Sequence, residues 1–343
     1  MTAPQPATTN PPSPSEPTGT ARSGPPAQMR ALIRTSAGIR ETTDLAELRA
    51  AFADEQSRAW VDIVDADEAL VDELAGCLGI HPLVAEDILE RNQRAKIERT
   101  EETLHIVMFA LAYEGGVEED EVDIVLGQRF LVTAHSPTFD PRDLHTLRRG
   151  PEDFLDEGPD YLLWAIVDGL VDRYFPVFDK LGDEIDDLQA DVISKPSKWV
   201  VERLFQVRRD LLFIRHAVSP QREIFNQLTN RDEPLIAPER IIYFRDVYDH
   251  LIRLTDELDS YRELVSTTLD AYLSTVNNNL SDIMKRLTAA TVILAGIAAV
   301  AGIFGMSEAA TAIEEGSGFW LITGLMLAAA GTAVIWFRRI GWL

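Results

Sequence analysis

The chain has 343 residues, 46% of them hydrophobic, which allows two domains or one domain and a membrane part. Its 56 acidic residues outweigh 32 basic ones, for a net charge of -24. That balance disfavours nucleic acid, whose phosphates need Lys and Arg, and favours cations. The one cysteine, Cys77, excludes an intrachain disulfide and fits a reducing compartment.

Residues 1–28 are Pro-, Ser- and Thr-rich and contain no apolar signal-peptide core, so they read as a disordered cytosolic tail. Residues 29–150 read as an α/β domain. Ala31-Leu32-Ile33, Trp60–Ile63, Leu104–Phe109, Val122–Leu126 and Phe130–Thr133 are β-rich runs, and Glu114-Gly115-Gly116 suits a hairpin turn. Asp67–Leu78 and Pro82–Arg91 read as helices, with Pro82 suited to a first helical turn.

Residues 151–286 read as acidic helices and a long stalk. From Tyr161 the pattern is helical, and Leu170, Tyr174, Val177, Leu181, Ile185, Leu188 and Val192 form an apolar stripe. Another face carries Asp168, Asp172, Asp179, Asp183, Asp187 and Asp191, which suits either a solvated surface or hard cations that take oxygen ligands. A second helical block covers Ser197 to Thr229. A third starts near Pro238 and meets no Pro or Gly until Gly296. At 1.5 Å per residue it is roughly 80 Å long.

Residues 287–304 and 319–337 contain no charge and are long enough to span a bilayer. Lys285 and Arg286 precede the first span, and Arg338 and Arg339 follow the second. The loop 305–318 has Glu308, Glu314 and Glu315 and no basic residue. The positive-inside rule then puts both termini in the cytoplasm and this loop outside. Repeated around a ring, the loop glutamates would concentrate cations at an outer mouth; alone they are solvated surface. The first span is rich in small residues, which serve either close helix packing or space along a pore axis. Two spans cannot enclose a polar path, so a pore requires several subunits. His81, His105, His135, His216 and His250 show no zinc-type pairing with each other or with Cys77. No GxxxxGK[ST] phosphate loop occurs.

Gly305-Met306-Ser307, at the end of the first span, resembles the Gly-Met-Asn signature of the CorA-type magnesium/cobalt channel family, with Ser in place of Asn. His81–Leu89 followed by Gln93–Glu98 is similar to that family's cytosolic helix segment. Asp160–Leu163 resembles the start of its acidic helix pair, and Tyr243–His250 and Tyr272-Leu273-Ser274 resemble its stalk. The likeness runs from about residue 30 to the basic end Arg338–Leu343.

The resemblance implies a funnel-shaped homopentamer in the plasma (inner) membrane, not an enzyme. It implies passive Mg²⁺ influx, with Co²⁺ or Ni²⁺ as further ions. Asp87 and Asp246 would share a regulatory Mg²⁺ between neighbouring subunits. Ser281, Met284, Leu287, Thr291, Ala295, Ala298, Gly302, Gly305, Met306 and Ser307 would line the pore. The Ser307 departure leaves two alternatives: a zinc or other transition-metal transporter of the same superfamily, or a non-conducting membrane Mg²⁺ sensor.

Overall fold

The computed structural model describes residues 27–231, 233–305 and 317–342. The first strand, β1 (Gln28–Thr35), pairs antiparallel with β2 (Gly38–Thr42) and with β3 (Arg58–Val64). β4 (Lys96–Arg99), β5 (Thr103–Tyr113), β6 (Val117–Gly127) and β7 (Phe130–His135) complete a seven-stranded sheet of order β2-β1-β3-β7-β6-β5-β4. β1 with β2 and β3, β4 with β5, and β6 with β7 pair antiparallel, whereas β3 and β7 run parallel, with a register from Ala59↔Phe130 to Val64↔His135. The turn at Glu114-Gly115-Gly116 joins β5 to β6, with Gly115 at φ 79°, as the sequence predicts.

Three helices, α1 (Leu45–Phe52), α2 (Glu68–Leu78) and α3 (Pro82–Glu90), cover one face of the sheet. Alternation along the strands decides which side chains meet them. Ala59, Val61 and Ile63 of β3 and Phe130, Val132 and Ala134 of β7 join Leu74, Leu78, Val84 and Ile88 in that core. The intervening Trp60, Asp62, Thr133 and His135 form a buried polar network instead. Thr133 Oγ1 donates to Asp62 at 2.6 Å, His135 Nε2 lies 3.0 Å from Asp62, and Trp60 donates to Thr133 at 3.0 Å.

Local signals fix the helix ends. Asp67 accepts from Leu70 N at 2.9 Å to cap α2, and Gly79 ends it at φ 74°. His81 Nδ1 accepts from Leu83 N at 3.2 Å, and Pro82 opens α3. The segment Gln93–Glu98, read with a helix in the sequence, is irregular up to Ala95 and then becomes the edge strand β4. Lys96 and Glu98 there alternate with Ile97, which leaves too little apolar pattern to announce a strand.

The helical part comprises α4 (Pro151–Glu157), α5 (Pro159–Asp172), α6 (Tyr174–Ser194), α7 (Lys198–Asn230), α8 (Ile241–Gly305) and α9 (Ser317–Arg339). The stripe predicted from Leu170 to Val192 is buried throughout. It lies on two helices, not one, because α5 stops at Asp172 and α6 begins at Tyr174. Pro176 has no N–H to give the carbonyl four residues back, so the ladder is interrupted there. Ser197 caps α7 by accepting from Val200 N at 3.4 Å.

The described residues divide into two compact units: residues up to 108 with 120–166 and 234–237, and residues 109–119 with 167–233 and the chain from 238 on. Within the second, α6, α7 and α8 pack on one another.

Candidate functional site

Among the described residues, two groups of side chains bring three potential metal ligands within 4.8 Å of one another, and each contains one of the two aspartates singled out in the sequence. In the second unit the group is Asp168, Asp246 and His250. Asp246 and His250 are four residues apart on α8 and so share a face. Asp168 comes from α5 and is 9% exposed. His250 also stands edge-on to Phe175 at 5.6 Å, and its Nδ1 is 3.7 Å from Asp172. Two carboxylates supply the hard oxygen donors that suit Mg²⁺, and the imidazole extends the set toward Co²⁺ or Ni²⁺.

In the first unit the group is Asp87, Glu98 and His105. The antiparallel register of β4 and β5 places Glu98 opposite His105. Asp87 reaches them from α3. Lys96 already sits among these groups, 2.6 Å from Asp87 and 3.2 Å from Glu98. Burial works against its ammonium, yet the two carboxylates hold its pKa above the ordinary lysine value. His105 Nε2 also lies 2.8 Å from Asp123, and both side chains are almost wholly buried. Burial pushes the Asp123 carboxyl up. Glu121, two residues along, is pushed up to about 7 by burial and then by the neighbouring Asp123. Its carboxylate accepts from Gln93 N at 3.1 Å.

Asp87 and Asp246 therefore each sit in a separate cluster within the chain. Glu98, His105, Asp168 and His250 complete those clusters. The sequence singled out neither histidine as a ligand, because each meets its partners through pairing or packing of distant segments.

The remaining predicted residues lie along α8. Ser281, Met284, Leu287, Thr291, Ala295, Ala298 and Gly302 are all exposed in the single chain. Between α8 and α9 is an apolar groove lined on the α8 side by Val292, Ile293, Gly296, Ile297 and Val300. At about 100° per residue, Met284, Leu287, Thr291, Ala295, Ala298 and Gly302 fall on the opposite side of the helix. Gly305 ends α8. Met306, Ser307, Glu308, Glu314 and Glu315 lie outside the described residues. Among the described residues one helix, α8, is long and apolar enough to cross a membrane, with a window of mean hydropathy 1.9. The second span predicted at 319–337 falls inside α9.

Comparison with known proteins agrees with this architecture. Residues 55–339 match the family described as CorA-like Mg²⁺ transporter protein. The chain is 34% identical over 312 residues to the cobalt/magnesium transport protein CorA of Thermotoga maritima, covering 88% of each chain. It is 30% identical to the putative metal ion transporter YfjQ of Bacillus subtilis, over 82% of this chain and 89% of that one. The complete structure of the CorA magnesium transporter from Methanocaldococcus jannaschii has the same fold, with a TM-score of 0.77 at 24% identity over 92% of this chain and 98% of that one. With most of its length matched, this chain is a member of the CorA-like Mg²⁺ transporter family, a family of transporters and not of enzymes.

Proposed function

We propose that the chain is one subunit of a homopentameric channel that admits Mg²⁺ passively, with Co²⁺ and Ni²⁺ as further ions. It lies in the plasma membrane with both termini in the cytoplasm. The observation that carries this reading is α8 itself. One unbroken helix holds Asp246 near its start and, on the side turned away from α9, the row from Met284 to Gly302. Five copies of that exposed row would enclose a path that one chain cannot. Met284 and Leu287 would form an apolar constriction that gates by dewetting, and Gly305, Met306 and Ser307 would form the outer filter. Glu308, Glu314 and Glu315 would gather cations at the mouth.

The membrane potential drives entry. A divalent ion gains roughly 4.6 kcal/mol per 100 mV. Cytosolic Mg²⁺ regulates it through Asp246 and Asp87, because an ion that binds the closed arrangement better than the open one shifts the population toward closed.

The test is Mg²⁺ uptake into proteoliposomes under an inside-negative potential. Uptake is expected to weaken as Mg²⁺ rises on the cytosolic face. Asp246→Ala is expected to retain uptake and lose most of that feedback. Passage of Zn²⁺ in place of Mg²⁺ would make this a transition-metal transporter. No flux of any divalent ion from an assembled pentamer would overturn conduction and leave a membrane Mg²⁺ sensor.

A further inference from the structure

The first-unit cluster contains a feature that neither conduction nor the Asp246 group uses. His105 is fully buried, its Nε2 is engaged by Asp123 at 2.8 Å, and its Nδ1 has no hydrogen-bond partner. A buried ring nitrogen without a partner costs free energy. When Asp123 accepts from Nε2–H, Nδ1 is left as the lone-pair nitrogen. A carboxylate on one imidazole nitrogen that frees the other is the arrangement that orients metal-bound histidines. The companion ligands are in place, since a ring nitrogen of His105 and one oxygen each of Asp87 and Glu98 lie within 4.8 Å of one another.

We propose that Asp87, Glu98 and His105 of a single protomer form a binding site for a borderline-soft divalent ion such as Co²⁺, Ni²⁺ or Zn²⁺, with Lys96 as its built-in competitor. Imidazole nitrogen selects these ions over Mg²⁺. The Lys96 ammonium, held by Asp87 and Glu98 at 2.6 and 3.2 Å, neutralises the carboxylates when no ion is bound. An arriving ion displaces it, so the site answers only to ions that gain more from His105 than Lys96 gains from the carboxylates. The inference shares Asp87 with the gating reading above and is otherwise independent of conduction.

The experiment uses the full chain in detergent with Asp246→Asn and His250→Gln, which removes the other cluster. Co²⁺ binding is followed by equilibrium dialysis, and its ligands by X-ray absorption at the cobalt edge. The expected result is one Co²⁺ per protomer with imidazole scattering, lost on adding His105→Asn. Asp123→Asn is expected to weaken it roughly 10- to 100-fold. Lys96→Met is expected to tighten it about tenfold by removing a like charge, a gain that misfolding does not produce. Absence of imidazole-ligated Co²⁺ in the variant that carries Lys96→Met would overturn the site, as would binding there no tighter than with Lys96 present. Mg²⁺ feedback is measured separately in liposomes with native Asp246, so either reading can fail while the other stands.

Discussion

The two halves of α8 differ in what surrounds them. Between Ile241 and Thr268 the helix buries Phe244, Val247, Leu251, Leu254 and Leu258 at three- and four-residue spacing, and Val265 two turns on, against helices of its own unit. From Leu269 to Ile303 Ala289 is the one buried side chain. Leu273, Leu280, Ile283, Met284 and Leu287 are exposed there by more than half. Contiguous apolar surface of that kind marks a site of association or of lipid contact. One helix is thus packed by its own chain at one end and exposed along the other. The sequence pattern is amphipathic in the first case and, from Leu287 on, apolar nearly all round, which is the difference between a core stripe and a membrane span.

The largest effect that would break this comparison is on core packing. Phe244→Ala removes a fully buried ring and is expected to cost about 3–5 kcal/mol in urea unfolding of the detergent-solubilised chain. Leu280→Ala is expected to fall within about 0.5 kcal/mol in the same assay, while weakening association of subunits. Equal losses at the two positions would mean that the halves are supported alike.

Buried charge sharpens the contrast next. Glu121 sits where the chain packs on itself, and its pKa is raised to about 7 from an unfolded value near 4.5. The folded form therefore holds the proton more tightly. Its stabilising contribution is complete below about pH 4.5 and is lost as pH rises to about 7, a change of about 1–3 kcal/mol. Glu121→Gln is expected to flatten that part of the pH–stability curve and to be more stable than the parent at pH 8. An unchanged pH dependence would show that the carboxyl is solvated.

Two glycines give the finest comparison. A Cβ on Gly182 of α6 would lie 2.5 Å from the Tyr261 hydroxyl of α8, so Gly182→Ala is expected to cost about 1–3 kcal/mol by overpacking. A Cβ on Gly296 would meet nothing within 4 Å, so Gly296→Ala is expected to gain up to about 1 kcal/mol of helix stability in thermal melts of the single chain. If it instead disrupts the assembled oligomer, a neighbouring copy packs there.

Much of this was legible in the sequence, and what was not follows a rule. The long stalk, the buried α6 stripe, the Pro82 start and the Glu114–Gly116 turn all rest on local periodicity or backbone chemistry. The edge strands β2 and β4 escaped because each offers one large apolar residue, Ile39 or Ile97, among polar ones. The break before Tyr174 escaped because the apolar stripe runs through it while Pro176 interrupts only the backbone ladder. The metal clusters were half legible. Asp87 and Asp246 stood out through resemblance. Glu98 meets His105 only through strand register, and Asp168 meets His250 only through packing of α5 on α8. Non-local pairing of that kind leaves no trace in spacing.

The unbroken course of α8 has a mechanical consequence. From Asp246 to Met284 the helix contains neither Pro nor Gly, so it is a stiff lever without an internal hinge. That stretch is about 57 Å long, so a tilt of roughly 1° at Asp246 swings Met284 sideways by about 1 Å. A small displacement at one end is thereby magnified into a lateral shift at the other. The first glycine along the rod is Gly296, so the stretch from Asp246 to Leu287 moves as one piece.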